Sequence, residues 1–215
     1  MTETKGRTRG WTSSPETKDR VLDAAAEIFG ERGFTAVTMA DIVDKSGVSV
    51  GSIYHHFGGK AEVFLAIWAD LIERIDGRVR EAVDKARADG IDDPMRLYGV
   101  STRAYLELLW ENQSRARVVA MGDTPPGFDA IRRGQARRGS DHDIALLRLG
   151  LTRREKLLRD FLLAMRAESA RVVLKCRTRA ELNEAIDTAL EYIGCLDPAK
   201  FGLGPARDRA RPGSS

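Results

Sequence analysis

Cysteine is scarce in this 215-residue chain: two residues, Cys176 and Cys195, cannot build a disulfide framework. Both read as buried small hydrophobes, with a thiol redox switch as the alternative. Long apolar runs are missing as well. The longest are a few residues, short of the roughly 18 needed to cross a bilayer, so no membrane partner is expected. No apolar h-region follows the polar residues 1–14, so no secretory signal is expected and the cytoplasm is the expected compartment. Charge of one sign is lacking, since 35 Lys and Arg stand against 32 Asp and Glu for a net +3. That excludes a histone-like chain and leaves nucleic acid open. Neither H-E-x-x-H nor C-x-x-C occurs, and the adjacent His55 and His56 point in different directions on a helix. No metal site and no cofactor are therefore expected. Sustained period-2 alternation and fixed-period repeats are absent, which argues against strands and solenoids.

What is present is helical punctuation. With 42% hydrophobic residues the chain can bury a core of one large or two small domains. Ser14-Pro15-Glu16 reads as an N-cap, a first-turn proline and an acidic first turn, followed by Val21, Leu22, Ala25, Ile28 and Phe29 at helical spacing up to Gly33. Thr38-Met39-Ala40-Asp41 is a capping-box-like start of a short helix that Gly47 ends, and Ser49 caps another through Phe57. After Gly58-Gly59, a 3.6-residue period from Val63 to Val83 predicts a helix about 45 Å long. Asp93-Pro94 opens the next. Thr152-Arg153-Arg154-Glu155 and Thr178-Arg179-Ala180-Glu181 are both T-x-x-E capping boxes that begin the last two helices. The expected fold is all-α. Residues 1–13 form a flexible arm, 14–60 a first domain, 61–203 a larger helical domain and 204–215 a disordered tail.

Residues 1–60 carry eight basic and eight acidic side chains, whereas 132–159 carry nine against three, a net of +6. A search for a DNA-binding surface would choose Arg132, Arg133, Arg137 and Arg138. That run is interrupted by Gly134 and followed by Gly139-Ser140, with no aromatic residue among its arginines, so it reads as a solvated loop or lid. Residues 38–57 are the better candidate. Two short helices around Asp44-Lys45-Ser46-Gly47-Val48-Ser49 have the length of a helix-turn-helix, whose second helix enters the major groove by its N-terminal end. The small residues Ser49, Val50, Gly51 and Ser52 allow close approach, while Ile53 and Phe57 anchor the helix from behind.

Taken together, Arg20-Val21-Leu22-Asp23-Ala24-Ala25, Phe29-Gly30-Glu31-Arg32-Gly33-Phe34, Thr38 to Ile42, and Gly47 through Ile53-Tyr54-His55-His56-Phe57-Gly58-Gly59-Lys60 resemble the N-terminal signature of TetR-family transcriptional regulators, over residues 16–65. The resemblance implies an N-terminal three-helix helix-turn-helix domain, joined by a long helix to a C-terminal helical ligand-binding and dimerisation domain. Thr38, Tyr54 and Lys60 would hold phosphates. Ser49, Val50, Gly51, Ser52 and His55 would lie at or near base edges of a near-palindromic double-stranded DNA operator. No Arg, Asn or Gln lies within residues 49–56, so direct readout should be sparse. DNA shape and an arm carrying Lys5, Arg7 and Arg9 are candidate contributors. With few cations near the helix, the salt dependence should be shallow.

The resemblance also implies a homodimer built on the last two helices, with Leu158, Leu162, Met165, Val172, Leu182, Ile186, Leu190 and Ile193 as expected interface residues. A cavity beneath the long helix would take an unidentified small-molecule effector, lipophilic or aromatic, among Trp68, Ile72, Tyr105, Leu109, Trp110, Phe128 and Phe161. Plain core packing is the competing reading of those side chains. The function expected is a repressor that its ligand releases from DNA. The alternative is a helical DNA-binding protein without small-molecule input, its C-terminal domain serving dimerisation or a protein partner. Gly47-Val48-Ser49-Val50-Gly51 also matches the nucleophile elbow G-x-S-x-G, but no strand precedes it, so no catalytic residue is assigned.

Overall fold

The computed structural model describes residues 15–203, with side chains left out at Pro15, Met121 and 136–144. The expected arm and tail, and the side chains of Arg137, Arg138 and His142, lie outside the described residues. The described chain is all-α, without a strand: α1 Pro15–Arg32, α2 Met39–Ser46, α3 Val50–Phe57, α4 Lys60–Ala88, α5 Pro94–Glu111, α6 Gln113–Met121, α7 Phe128–Leu147, α8 Arg153–Val173 and α9 Arg179–Cys195, then a 3₁₀ turn Pro198–Phe201. None of these helices is long and apolar enough to cross a membrane.

Local sequence sets most of the helix ends. Thr38, Thr152 and Thr178 accept the N3 amide, and Asp41, Glu155 and Glu181 return a bond to the cap nitrogen, so the boxes at α2, α8 and α9 are all closed. Gly47 ends α2 in the left-handed conformation at φ 64°, its N–H donating to the Val43 carbonyl. Asp93 caps α5 through the Arg96 amide.

One expectation is corrected here. The segment containing Arg132, Arg133 and Gly134 is not a loop but part of α7, whose backbone continues through Gly139-Ser140. A helical glycine costs only about 1 kcal/mol relative to alanine, and α7 is anchored at both ends by Phe128 and by Leu146 and Leu147, all buried.

The helices share a core that runs from the N-terminal trio into the body. Phe29 and Phe34 pack on Phe64 of α4 at 5.9 and 5.6 Å between centroids, Phe64 on Phe128 of α7 at 5.0 Å, and Phe128 on Trp68 at 5.3 Å. Edge-to-face contacts of this kind add about 0.5–1.5 kcal/mol each beyond burial. The far half of α4 buries Val79, Val83 and Ala86 against Leu97 and Ala104 of α5. At 29 residues, α4 is therefore a rod of about 43 Å shared by both parts of the chain.

Candidate nucleic-acid interface

The α2–α3 unit is built from the inside. Ile42, Val48 and Ile53 are fully buried with Val21, Leu22 and Phe29, while Phe57 is half-buried against them. Burying one such side chain stabilises by about 1.5–3 kcal/mol, which sets the rotation of α3 about its axis. Ser49, Val50, Gly51, Tyr54 and His55 then face outward together, with Val50 and Tyr54 about half exposed. Ser52 is half-buried. Ser49 caps α3 by accepting the Ser52 amide at 3.3 Å, so the G-x-S-x-G match lies in a helix-to-helix turn. A Cβ built at Gly51 meets nothing within 4 Å. Packing therefore does not demand that glycine, and the space in front of it is open.

At the start of α2, Thr38 donates from both its amide, at 2.7 Å, and its hydroxyl, at 2.6 Å, to Oδ2 of Asp41. Arg32 meets the other carboxylate oxygen at 2.7 Å. The Thr38 hydroxyl, then Arg32, then the Thr38 amide hold the Asp41 carboxyl far below the usual carboxylate range. Lys60, expected at a phosphate, is engaged within the protein. Its ammonium donates to the carbonyls of Phe34 at 2.8 Å and Val37 at 2.7 Å, with Thr35 at 3.4 Å, and stands 4.4 Å over the Phe34 ring. With its three donors so directed, Lys60 ties α4 to the α1–α2 turn. Sequence spacing could not reveal this, because the cradle forms only when residues 34–37 fold over the start of α4.

Two further groups join the face. Lys18 of α1 lines a small cleft of about 140 Å³ with Ser52 and His56 of α3, and His56 stacks edge-on to His55 at 5.0 Å. Lys18 has no ion-pair partner among the described residues. Lys45 is instead paired with Glu27 at 2.6 Å, which raises its pKa. The outer face of the trio is thus small and weakly basic, with a helix N-terminus at its centre.

Helix α6 fastens this trio to the body. Arg115, almost fully buried, donates to Asp23 at 2.9 Å and pairs with Asp19 at 3.1 Å on α1 and with Asp70 on α4. Arg74 meets Asp19 and Asp70 from α4 at 2.8 and 2.7 Å. Just past α6, Asp123 accepts the Thr35 amide at 2.7 Å. In the other direction, Arg117 donates to the Leu174 carbonyl, and Gln113 to that of Cys176, in the α8–α9 turn. Nothing in the local pattern of α6 announced this role, since its partners lie more than 40 residues away.

The expected effector and interface residues take the following places in the protomer. Leu109 and Phe128 are buried, and Trp68, Tyr105 and Trp110 pack against the same core. Trp110 donates from Nε1 to the Cys176 carbonyl at 3.2 Å, and Arg166 stands 4.5 Å over the Tyr105 ring. Ile72 is half-buried on α4, and Phe161 is exposed on the surface. None of the seven lines either of the two concave features described, the α1–α3 cleft and a groove along α5. Leu158, Leu162, Leu182, Ile186 and Ile193 are buried within the protomer, with Met165 and Leu190 packed partly against it; of the expected interface only Val172 is exposed. The outward stripe of α8 is Leu157, Phe161, Ala164 and Val172, beside Tyr192 of α9. Cys176 is buried as expected, its thiol pushed up by burial, but Cys195 is exposed.

Residues 21–67 match the family model for bacterial regulatory proteins, tetR family. The HTH-type transcriptional repressor KstR2 of Rhodococcus jostii (strain RHA1) is 36% identical over 88 residues, 41% of this chain and 41% of that protein. The HTH-type transcriptional activator FasR of Mycolicibacterium smegmatis (strain ATCC 700084 / mc(2)155) is 37% identical over 68 residues, 32% of this chain and 31% of that protein. The matches thus span about two fifths of the length of these curated relatives, or less. A solved TetR-like transcriptional regulator from Rhodococcus sp. RHA1 superposes with a TM-score of 0.65 at 21% identity, covering 86% of this chain and 96% of that one, and shares its fold.

Proposed function

We propose that this chain, which belongs to the TetR family of bacterial regulatory proteins, is a homodimeric, sequence-specific DNA-binding regulator of transcription, a repressor released from its operator by a small molecule. The observation that carries the reading is the outward face of α3. Ser49, Val50, Gly51, Tyr54 and His55 are presented together on the outward side of a helix whose opposite side is locked by Ile53. Residues 14–60 do the reading and 61–203 the sensing and pairing. Ser49, Val50, Gly51, Ser52 and His55 approach base edges, with Val50 suited to a thymine methyl and His55 to a guanine acceptor. Thr38, Tyr54 and Lys18 serve phosphates, while Lys60 braces the turn that carries Thr38.

Two copies pair through the apolar stripe Leu157, Phe161, Ala164 and Val172 of α8 together with Tyr192 of α9. Pairing sets two α3 helices about one helical turn apart, or a modest stretch more, on a near-palindromic operator. A ligand acts only through unequal affinity for the two spacings, so ligand and operator weaken each other reciprocally. The α1–α4–α6 ion network transmits the change between body and DNA-reading unit. The dense packing of Trp68 against Phe128 supports a second reading, in which the body serves pairing or a protein partner and takes no ligand. Selection of bound fragments from genomic DNA tests the main claim. Recovery of one shared, near-palindromic sequence is expected, and enrichment of no sequence refutes it.

A further inference from the structure

We propose that the groove along α5, between the far half of α4 and α9, binds an amphipathic anion: a carboxylate or phosphate monoester on an aliphatic chain. The groove has a volume of about 430 Å³, within the usual range for small-molecule sites. Its floor is apolar, formed by Ala82, Ile91, Val100 and Leu190. Gly99 adds no side chain to that floor, and a Cβ there would meet only Leu190, at 3.9 Å. Three arginines, Arg78, Arg96 and Arg103, also line it, with one carboxylate, Glu107.

Arg96 has no ion-pair partner among the described residues. Arg78 pairs with Glu111 at 3.0 Å, and Arg103 with Asp187 and, at 3.9 Å, with Glu107, all three carboxylates being partly or largely exposed. Pairs this wet contribute about 0–1 kcal/mol and exchange readily for a better-placed anion, and each guanidinium keeps donors to spare. An aliphatic chain on the floor would leave a charged head at the groove's edge, within reach of one or two of the arginines that line it. A head group that takes Arg103 from Asp187 removes a bridge between α5 and α9. The binding claim stands without DNA; only its regulatory consequence rests on the function proposed above.

The test is calorimetric titration of the full chain with dodecanoate, dodecyl phosphate and uncharged dodecanol, below micelle-forming concentrations. One saturable site per protomer is expected for either or both anions, the pattern naming the preferred head, with no such site for dodecanol. Replacing both arginines (Arg96→Gln with Arg103→Gln) should weaken anion binding about tenfold or more. Val100→Trp, which fills the floor and spares the charges, should do the same, with thermal melts confirming that both variants fold. Three results would overturn the proposal: no anion binding by the folded wild type, equal binding of dodecanol, or anion affinity unchanged in both variants. Binding lost in the variants but without effect on the affinity for selected DNA supports the site and contradicts its regulatory use.

Discussion

Removing Arg115 tests how firmly the N-terminal helix trio is held to the body. Its guanidinium is 4% exposed and serves Asp19 and Asp23 on α1 and Asp70 on α4. In Arg115→Met, Asp19 and Asp70 retain Arg74, and Asp23 loses its ion pair. Stripping one partner from a fully buried pair costs about 3–5 kcal/mol. Asp19 and Asp23 keep 44% and 68% exposure and can be hydrated, so the penalty falls chiefly on Asp70, at 13%, and is reduced there by the Arg74 pair that remains. The expected loss is accordingly about 2–3 kcal/mol, or about 4–12 °C in Tm for a chain of this length. Arg115→Lys keeps the charge but not the fork and should fall between. The double variant Arg115→Met, Asp70→Leu should recover much of the loss, since no buried charge is then left alone. Differential scanning calorimetry of wild type, Arg115→Met, Asp70→Leu and the double variant closes the cycle. A Tm for Arg115→Met within about 2 °C of wild type, or a double variant worse than the sum of the singles, would refute the reasoning.

Other outcomes follow from the same geometry. Gly51→Ala should leave thermal stability equal or raise it by about 0.5 kcal/mol, because a Cβ there meets nothing, yet weaken binding to the selected operator about tenfold; equal or tighter binding counts against close approach at this position. Asp41, Glu155 and Glu181 all have lowered carboxyl pKa values, the first two chiefly through hydrogen bonds that close their capping boxes and Glu181 through the Arg177 amide first and the Thr178 amide of its box second. What they contribute to stability is complete above ordinary carboxylate values and drains as pH falls through the lowered ones, so Asp41→Asn should flatten the acid limb of a Tm-against-pH curve. Leu157→Glu with Phe161→Glu should give a folded monomer by sedimentation, whereas Leu162→Ala should cost about 2–5 kcal/mol of stability because that side chain fills the protomer's own core.

The contrast between Leu162 and Phe161 explains what the sequence could and could not reveal. Helix ends were legible because caps are local: Thr38 with Asp41, Thr152 with Glu155 and Thr178 with Glu181 each need only four consecutive residues. The orientation of α3 was legible for a related reason, since only one side of Val50–Phe57 is apolar enough to bury. Helix α8 carries two apolar stripes, one on Leu158 and Leu162 and one on Leu157 and Phe161, and periodicity alone does not say which faces inward. Lys60 and Arg115 escaped detection because their partners converge from distant segments. The glycines of α7 misled in the opposite direction: a breaker by propensity is overridden when both ends of a helix are held by buried side chains.

The central claim is that the outward face of α3 reads DNA. Its most direct test is the affinity of the full chain and of Val50→Asp for the selected operator, measured by fluorescence anisotropy, with a thermal melt of each protein. Val50 is half exposed, so the variant should melt like wild type, while a carboxylate against the duplex should weaken binding at least about tenfold. Unchanged affinity in a fully folded Val50→Asp protein would contradict the account.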